Sequence, residues 1–373
     1  MRRIGILGGG QLGRMMGLAG IPLGFRFVFL DPSADACAGA AGELVQAGFD
    51  DAAAARDLSG RIDAATFDFE NVPESSARAL EERCPLRPAS GALAACQDRL
   101  VEKDLLSRLD IAVPGYHAVS SRVDLVEGLE RLGYPAVLKT RRLGYDGKGQ
   151  AVLNDAEDRE RAWQQLGDAE LILEAFVPFQ AECSLVGVRD QDGDTRFWPL
   201  TRNVHDRGIL ALSRPGVFSA ELQAAAESRM LRLMDHFGYV GVLTLEFFVL
   251  DGELLANEIA PRVHNSGHWT IDGAVCSQFE NHVRAVGGLP LGDTRMTMPS
   301  LMFNWIGEMP DRRLLAMPGL HWHDYDKAPR PGRKIGHATL TAESAAELEA
   351  SAREIAVVAG GRFPALLDTL LDT

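Results

Sequence analysis

The chain reads Leu245-Glu246-Phe247-Phe248 and, beyond an Asp251-Gly252 pair, Asn257-Glu258-Ile259-Ala260-Pro261-Arg262. Each glutamate lies in an otherwise apolar strand pattern, where a carboxylate is costly to bury unless a cation or hydrogen bonds compensate. The Asp-Gly pair favours a tight hairpin, so the two strands are predicted to be neighbours. Carboxylates that converge from adjacent strands form a hard oxygen site for Mg²⁺, which also needs phosphate oxygens to complete its shell. The stretch therefore predicts a metal–phosphate site.

The register of this hairpin is not settled by the pattern. A strict two-residue turn sets Glu246 opposite Asn257 and leaves Glu258 on the other face, because side chains alternate along a strand. A longer loop or a β-bulge restores a shared face. The alternative to a metal site is one buried, hydrogen-bonded glutamate and one exposed glutamate.

Composition limits the class of protein. The 373 residues are 46% hydrophobic and carry a net charge of −14, which argues against nucleic-acid binding. The five cysteines are scattered without metal-ligand spacing, so they predict reduced thiols in a cytoplasmic protein. No signal-peptide pattern and no membrane-spanning apolar run is present, and no membrane association is expected.

Three domains are predicted from the element pattern. Residues 1–95 read as strand, glycine turn, helix and strand, which is typical of a Rossmann-like parallel α/β unit. Residues 96–298 mix helices and strands, with a helix from Ser219 to Phe237 before the glutamate hairpin. Residues 299–373 contain strands, prolines and a basic turn. The expected fold class is thus α/β combined with α+β, with a small β-rich C-terminal domain.

The glycine turn Gly8-x-Gly10-x-x-Gly13, with Asp31 ending the next strand, fits the dinucleotide-binding spacing. It raises the alternative of an NAD-dependent dehydrogenase. A lone fingerprint is weak evidence, because any anionic ligand or close helix–strand packing needs the same glycines. Nothing downstream supplies a hydride-transfer site.

A second glycine-rich segment is cationic. Residues 139–150, Lys139-Thr140-Arg141-Arg142-Leu143-Gly144-Tyr145-Asp146-Gly147-Lys148-Gly149-Gln150, suit a loop that folds over a polyphosphate. A solvated hairpin tip is the alternative, but Lys139 ends an apolar strand. No Walker-type phosphate loop is present. Lysines on strands, a glycine loop and paired glutamates on a late hairpin resemble the ATP-grasp superfamily, whose fold binds ATP between two α+β subdomains.

Four stretches together resemble the N5-carboxyaminoimidazole ribonucleotide synthetase family. They are residues 8–16 (GGGQLGRMM), 70–73 (ENVP), 144–150 (GYDGKGQ) and 257–268 (NEIAPRVHNSGH). The resemblance covers all three domains. It implies an ATP-dependent ligase of purine biosynthesis that consumes ATP, bicarbonate and 5-aminoimidazole ribonucleotide, and that forms the N5-carbamate, ADP and phosphate through carboxyphosphate.

The resemblance also implies residue roles. Mg²⁺, with Mn²⁺ as a possible substitute, is assigned to Glu246 and Glu258, and the expected catalytic residues are Asp146, Lys148, Arg262 and His264. The expected ATP contacts are Arg99, Lys139, Gly144, Tyr145, Asp146, Gly147, Lys148, Gly149, Gln150, Glu174, Ala175, Phe176, Val177, Glu182, His205, Asn257 and Glu258. The expected contacts to aminoimidazole ribonucleotide are Gln11, Leu12, Tyr145, Asp146, His264, Asn265, Ser266, Lys327, Arg333 and Lys334. A homodimer is expected by analogy with the family.

Some positions depart from the family pattern or stay open. Leu143 stands where relatives usually have glycine, and Asp68 stands where they often have glutamate, so Asp68 is given no role. His321-x-His323 is expected to be structural rather than a metal site. The remaining alternatives are a formyl-phosphate transformylase, a biotin carboxylase type of ligase and a nucleotide-sensing protein without turnover.

Overall fold

The chain begins with a parallel α/β unit. The computed structural model describes residues 2–144 and 148–372. The first elements are β1 (Arg3–Leu7), α1 (Gln11–Gly20), β2 (Arg26–Asp31), β3 (Glu43–Gln46), α2 (Ala52–Ser59), β4 (Ala64–Phe67), α3 (Glu74–Glu81) and α4 (Ser90–Cys96). The strands form a parallel sheet in the order β3-β2-β1-β4. Its central strands are almost continuous buried apolar runs, as expected where a parallel sheet is covered on both faces.

A small antiparallel sheet follows. Its elements are α5 (Arg99–Arg108), β5 (Tyr116–Val119), α6 (Arg122–Leu132), β6 (Ala136–Thr140), β7 (Gln150–Leu153), α7 (Ala156–Leu166) and β8 (Leu171–Ala175). The strand order is β5-β8-β6-β7. Strands β6 and β7 are antiparallel neighbours, so the glycine-rich cationic segment connects two paired strands at one end of this sheet.

The remaining strands build one large sheet. The elements are β9 (Ala181–Arg189), β10 (Thr195–Phe197), β11 (Thr201–Asp206), β12 (Ile209–Pro215), α8 (Ala220–Phe237), β13 (Gly241–Leu250), β14 (Glu253–Ala260), α9 (Thr270–Gly273), α10 (Gln278–Gly287), β15 (Ser300–Ile306), β16 (Leu320–Asp324), β17 (Lys334–Thr341), α11 (Ala345–Ala359) and α12 (Phe363–Leu371). Short 3₁₀ turns lie at Ile21–Leu23, Cys37–Ala41, Asn265–Gly267 and Arg312–Ala316. The strand order is β14-β13-β9-β11-β12-β15-β17-β16, with β10 paired to β9.

The strands after residue 299 extend this sheet. Strand β15 pairs with β12, and β17 then pairs with both β15 and β16. Helices α11 and α12 cover the same region and share a buried core with β15 and β17. The region predicted as a C-terminal domain is therefore continuous with the central sheet, and the division at residues 95 and 298 stays a prediction.

The predicted helix before the hairpin is present as α8. Ser219 accepts a hydrogen bond from the Leu222 amide at its start, and Gly238 ends it with a positive φ of 53°. Ala226, Met230 and Leu233 are buried on one face, where they pack against the large sheet. Helix α8 thus anchors the back of β13 and β14, the two strands that carry the glutamates.

The hairpin contains the bulge that the register required. Asp251 and Gly252 both have positive φ, as a tight two-residue turn needs, and Leu250 pairs with Glu253. The register holds to Phe247 and Ala256, then shifts, so that Glu246 pairs with Glu258. Asn257 is the additional residue. The bulge turns Glu258 back to the face of Glu246, which a regular ladder would have prevented.

No helix in the two described ranges is long and apolar enough to cross a membrane.

Candidate active site

A cleft of about 1040 Å³ is lined by residues from all three sheets. Most of the side chains assigned from sequence line it. They are Gln11, Leu12, Arg99, Lys139, Gly144, Lys148, Gln150, Glu174, Ala175, Phe176, Val177, Glu182, His205, Glu246, Asn257, Glu258, Arg262, His264, Asn265, Lys327, Arg333 and Lys334. Residues more than three hundred positions apart in the chain thus converge on one surface.

Glu246 and Glu258 face each other across β13 and β14. Burial, followed by the charge of Glu258, raises the pKa of Glu246 to about 8. Burial alone would also raise the pKa of Glu258, but the neighbouring cations, Arg99 first, outweigh it and lower that pKa. Arg99 Nη1 lies 3.2 Å from Glu258 Oε2. Two facing carboxylates push their pKa values apart when too little positive charge lies between them.

This arrangement fits a divalent cation. The Oδ1 atom of Asn257, beside Glu258, is buried and has no hydrogen-bond partner among the described residues. A carboxylate pair and an amide oxygen are hard ligands of the kind that Mg²⁺ takes. In the described part of the chain, no group of three or more His, Cys, Asp and Glu side chains could by itself hold a metal ion. Mg²⁺ bound by one or two carboxylates generally completes its octahedral shell with water and substrate phosphate oxygens.

His264 supports one of these carboxylates. Its Nδ1 accepts a hydrogen bond from the Ser266 amide at 3.3 Å, which leaves the proton of the neutral ring on Nε2. That Nε2 lies 3.1 Å from Glu246 Oε1. Burial, and then Arg262 and Lys334, lower the pKa of His264 well below its usual range. His264 is thus a neutral donor that orients Glu246.

One end of the cleft combines buried charge with exposed aromatic rings. Lys139 Nζ, at the end of β6, lies 2.8 Å from Glu174 Oε2. Burial would raise the pKa of Glu174, but Lys103 and Lys139 lower it to about 2. Phe179 and Phe248 stack with their ring centres 4.9 Å apart, and Phe176 is 44% exposed. An apolar platform beside fixed cations suits a flat heterocycle that carries phosphates.

Glu182 and His205 form a polar pair at the same end. The Nδ1 atom of His205 lies 2.8 Å from Glu182 Oε2. Burial lowers the pKa of His205, but the hydrogen bond and charge of Glu182 outweigh burial and raise it overall. The carboxylate is thereby held in one orientation, as a hydroxyl-accepting group would need to be.

The other end of the cleft is cationic and brings together residues from the N-terminal and C-terminal regions of the chain. Lys327 Nζ donates to Gln11 Oε1 at 2.7 Å, which links the segment before β17 to the glycine turn. Arg333 and Lys334 line the same surface. Burial, followed by the charge of Arg333, lowers the pKa of Lys327. Clustered cations in an acidic protein suit a bound phosphate ester.

Arg262 lies between these two ends. Its Nη2 atom contacts Glu70 Oε2 at 2.5 Å, and its Nη1 donates to the carbonyl of Val263. Arg262 therefore forms an ion pair, and its partner comes from the Glu70-Asn71-Val72-Pro73 motif. Because Arg262 also lines the cleft, the ion pair fixes its position without removing it from the site.

The glycine turn is filled by the protein's own carboxylates. Gly9 N donates to Asp31 Oδ2 at 2.7 Å, and Gly10 N and Gly13 N donate to Asp68 Oδ2 at 2.8 and 3.0 Å. A Cβ on Gly8 would lie 1.5 Å from Asp68 Oδ1. The amides that would bind a dinucleotide pyrophosphate are thus already occupied, which removes the basis for NAD binding. It also corrects the view that Asp68 has no role.

Two of the assigned residues that the structure describes, Gly149 and Ser266, do not line the cleft. Tyr145, Asp146 and Gly147 fall outside the described residues. The carbonyl of Gly149 accepts a hydrogen bond from the amide of Thr140 in β6, and Gly149 does not line the cleft. Ser266 is fully buried, and its hydroxyl lies 2.9 Å from His264 Nδ1, so it reaches the cleft only through that ring.

The His321-x-His323 pair is part of the packing. His323 Nε2 lies 2.8 Å from Asp272 Oδ2, and its ring stacks on His337 with centres 4.3 Å apart. His321 is further from the same carboxylate, at 3.7 Å. The geometry agrees with the structural interpretation of these histidines.

Three families match successive parts of the chain. Residues 1–97 match the ribonucleotide synthetase preATP-grasp domain, 104–279 the ATP-grasp domain, and 300–351 the phosphoribosylaminoimidazole carboxylase C-terminal domain. The N5-carboxyaminoimidazole ribonucleotide synthase of Pseudomonas aeruginosa is 51% identical over 356 residues, which cover 95% of this chain and 98% of that protein.

Solved structures of similar proteins have the same overall fold. The synthetase from Thermus thermophilus superposes with a TM-score of 0.92 at 50% identity, and the match covers 96% of this chain and 99% of that one. The Aspergillus clavatus synthase, solved with ADP and 5-aminoimidazole ribonucleotide, superposes with a TM-score of 0.89 at 28% identity, and the match covers 98% of both chains. This chain belongs to the N5-carboxyaminoimidazole ribonucleotide synthase family. The predicted ATP-grasp fold is thereby confirmed.

Several residues of this synthase-family cleft were not assigned from sequence. Asp31 was noted only for the dinucleotide spacing, Asp68 only as a departure from the family pattern, and Glu70 only as part of the Glu70-Asn71-Val72-Pro73 motif. Glu102, which also lines the cleft, had no sequence signal beyond its place in a helix. Phe179 and Phe248 come together from separate elements. A strand-end acidic residue opposite a glycine turn was the one available signal for Asp68.

The contacts of Asp68 generate a prediction. Replacing Asp68 with Ala removes the acceptor of the partly buried Gly10 amide and of the buried Gly13 amide, at a cost of about 1–3 kcal/mol. We expect faster hydrogen exchange at these two amides and a lower unfolding midpoint. Asp68→Asn keeps an acceptor oxygen and should stay close to the unmodified protein. The surface variant Asp57→Ala is the control, and equal exchange in Asp68→Ala and the control would contradict the proposed contact.

Proposed function

We propose that the cleft carries out the ATP-dependent carboxylation of 5-aminoimidazole ribonucleotide with bicarbonate, by way of carboxyphosphate. The chain is an ATP-dependent ligase of purine biosynthesis that forms N5-carboxyaminoimidazole ribonucleotide from 5-aminoimidazole ribonucleotide. The observation that carries the mechanism is the bulged hairpin, which sets Glu246 opposite Glu258 in one cleft between an aromatic, cationic end and a second cationic end.

ATP is proposed to lie at the aromatic end. Phe176, Phe179 and Phe248 supply an apolar surface for adenine, and the backbone of residues 174–177 lies beside it. Glu182 is proposed to accept the ribose hydroxyls, since its carboxylate is held by His205. Arg99 and Lys139 would neutralise the phosphates, with Lys148 and the rest of residues 144–150 closing over them.

Mg²⁺ is proposed to be held by Glu246 and Glu258, with Asn257 beside them. When bound, the cation would neutralise charge on the phosphate oxygens and so favour phosphoryl transfer. The protein's contribution is to hold the carboxylate oxygens of Glu246 and Glu258 on one face of the hairpin. The bulge aligns the carboxylates, and the Nε2 proton of His264 orients Glu246.

The aminoimidazole ribonucleotide is proposed to lie at the other cationic end. Its 5′-phosphate would bind Lys327, Arg333 and Lys334, and Gln11 is fixed there by the Lys327 ammonium. Leu12 and Asn265 line the same part of the cleft, and Ser266 supports it through His264. In this arrangement the acceptor amine would point toward Arg262 and the two glutamates.

The chemistry follows from these positions. A bicarbonate oxygen bonds to the γ-phosphorus of ATP as the bond from that phosphorus to the β–γ bridging oxygen breaks, which gives ADP and carboxyphosphate. Cleavage of the carbon–oxygen bond to phosphate then releases CO₂ and phosphate, and the exocyclic amine bonds to the CO₂ carbon. Asp146 is proposed to take the amine proton. Arg262 would bind the bicarbonate or the transferring phosphoryl group, so orientation, charge neutralisation and water exclusion do the main work.

The decisive experiment is phosphate release from ATP with Mg²⁺, bicarbonate and fresh 5-aminoimidazole ribonucleotide, with each component omitted in turn. We expect release to require aminoimidazole ribonucleotide, and a labile carboxylated product to accumulate. Phosphate release that does not depend on 5-aminoimidazole ribonucleotide would show that this compound is not the acceptor of the carboxyl group.

Glu258→Gln tests the metal assignment. Loss of one anionic ligand should weaken metal binding and lower turnover by about 100-fold or more, while the fold survives. The measurement is phosphate release and Mn²⁺ binding across a metal titration. Glu253→Gln, at the exposed start of the same strand, is the matched control. An unchanged rate in Glu258→Gln would exclude this residue as a ligand.

Arg333→Ala tests the phosphate anchor. Loss of a charge-assisted hydrogen bond costs about 1.5–3 kcal/mol, so the KM for aminoimidazole ribonucleotide should rise roughly 10- to 100-fold with the KM for ATP nearly constant. Arg313→Ala, which removes an exposed side chain that forms a surface ion pair with Asp311, serves as the control. A rise in the KM for ATP alone would place Arg333 at the nucleotide instead.

Two further properties are proposed from the family. The protein is proposed to be a homodimer, which sedimentation velocity would test. It is also proposed to be cytoplasmic, and all five of its cysteines are unpaired in the structure, as a reducing compartment requires.

A further inference from the structure

The bulge at Asn257 lies on an edge strand. Strand β14 is the last strand of the large sheet, so only β13 pairs with it. Its other edge would present unpaired backbone groups, and a bulge interrupts the ladder further. A feature this local is stable only if other groups satisfy the backbone around it. The structure shows which groups do so.

Lys103 of α5 satisfies one side of the bulge. Its side chain is fully buried, and its Nζ donates to the carbonyls of Ala256 at 3.2 Å and Asn257 at 2.7 Å. A buried ammonium is costly without full compensation. Lys103 receives part of that compensation from Glu174, whose Oε2 lies 3.9 Å away. Its main hydrogen-bond acceptors are thus the two carbonyls at the bulge.

Glu102, the neighbouring residue of α5, satisfies the other side. It is 2% exposed, and its Oε1 accepts a hydrogen bond from the Ile259 amide. The same edge is completed at Ala256, whose amide donates to the carbonyl of Ala112 at 2.8 Å. Backbone groups on both flanks of Asn257 therefore bond to the segment 102–112 and not to another strand.

The spacing of these contacts depends on the bulge. In a regular strand, groups that point to the same edge recur every second residue. Here the outward amides belong to Ala256 and Ile259, which are three positions apart because Asn257 is the additional residue. Lys103 and Glu102 are adjacent residues of helix α5. They bond to the Ala256 carbonyl and the Ile259 amide, at the two ends of this three-residue interval. A slip to the regular ladder would move the Ile259 amide to the opposite edge and break its bond to Glu102.

We propose that Glu102 and Lys103 are positioning residues that lock the Asn257 bulge and so hold Glu258 opposite Glu246. The proposal rests on the proposed function in so far as the two glutamates are metal ligands. Neither residue needs to touch substrate, because each acts through the β14 backbone. Arg99, at the start of the same helix, contacts Glu258 directly, so α5 fixes both the backbone and the side chain of this ligand.

Three variants separate this role from ordinary packing. Glu102→Leu removes the acceptor for the Ile259 amide, whereas Glu102→Gln keeps it. Lys103→Met removes the cation at nearly constant length. We expect Glu102→Leu and Lys103→Met to weaken Mn²⁺ binding to the ADP-bound protein by about 10- to 100-fold, with Glu102→Gln close to the unmodified protein. Leu106→Ala, in the buried core of the same helix, is the control for general destabilisation.

A readout that does not involve the metal accompanies these measurements. Hydrogen exchange at the Ile259 amide should accelerate in Glu102→Leu and remain slow in Glu102→Gln and Leu106→Ala. Equal metal affinity in all four variants, or a loss in Leu106→Ala as large as in Glu102→Leu, would overturn the proposal. If Glu246→Gln and Glu258→Gln also left Mn²⁺ binding unchanged, the metal assignment itself would have failed. If only Glu246→Gln and Glu258→Gln weakened Mn²⁺ binding, the two glutamates would stand as metal ligands. The positioning role of Glu102 and Lys103 would then be excluded.

Discussion

The structure depends on one additional residue in a hairpin. Without the bulge at Asn257, strand alternation would place Glu258 on the face opposite Glu246, and the cleft would contain a single carboxylate from this pair. With the bulge, two carboxyl groups face each other in one cleft. Their mutual repulsion has to be balanced, and the surrounding cations and neutral donors are arranged around that requirement.

That balance divides the cleft into separate electrostatic environments. Arg99 and Lys139 lower the pKa of Glu258, while Glu246 has the neutral His264 ring as its neighbour and keeps a raised pKa. A site of this kind favours a divalent cation because the cation relieves both the repulsion and the cost of burial. The second cationic group, around Lys327 and Arg333, lines another part of the same cleft. One cleft can thus hold two anionic substrates in different places.

The glycine turn shows how the same local pattern serves another purpose. Its glycines allow Asp68 to approach the start of α1, where a carboxylate replaces the phosphate that the spacing suggests. The anion that occupies a helix N-terminus is part of the chain. The spacing of glycines predicted a close approach of an anion, but it could not specify which anion, because that depends on the strand that packs beside the turn.

Sequence alone determined the local features of this protein. The parallel N-terminal unit, helix α8 with its Ser219 and Gly238 ends, and the Asp251-Gly252 turn follow from periodicity and backbone preferences, and four motifs indicated the family. Tertiary structure decided the rest. It selected the bulge over a regular ladder or a longer loop, paired Arg262 with Glu70, filled the glycine turn with Asp68 and brought Lys327 to Gln11. These contacts join residues that are far apart in the chain, and no local pattern encodes which distant side chain meets a given backbone group.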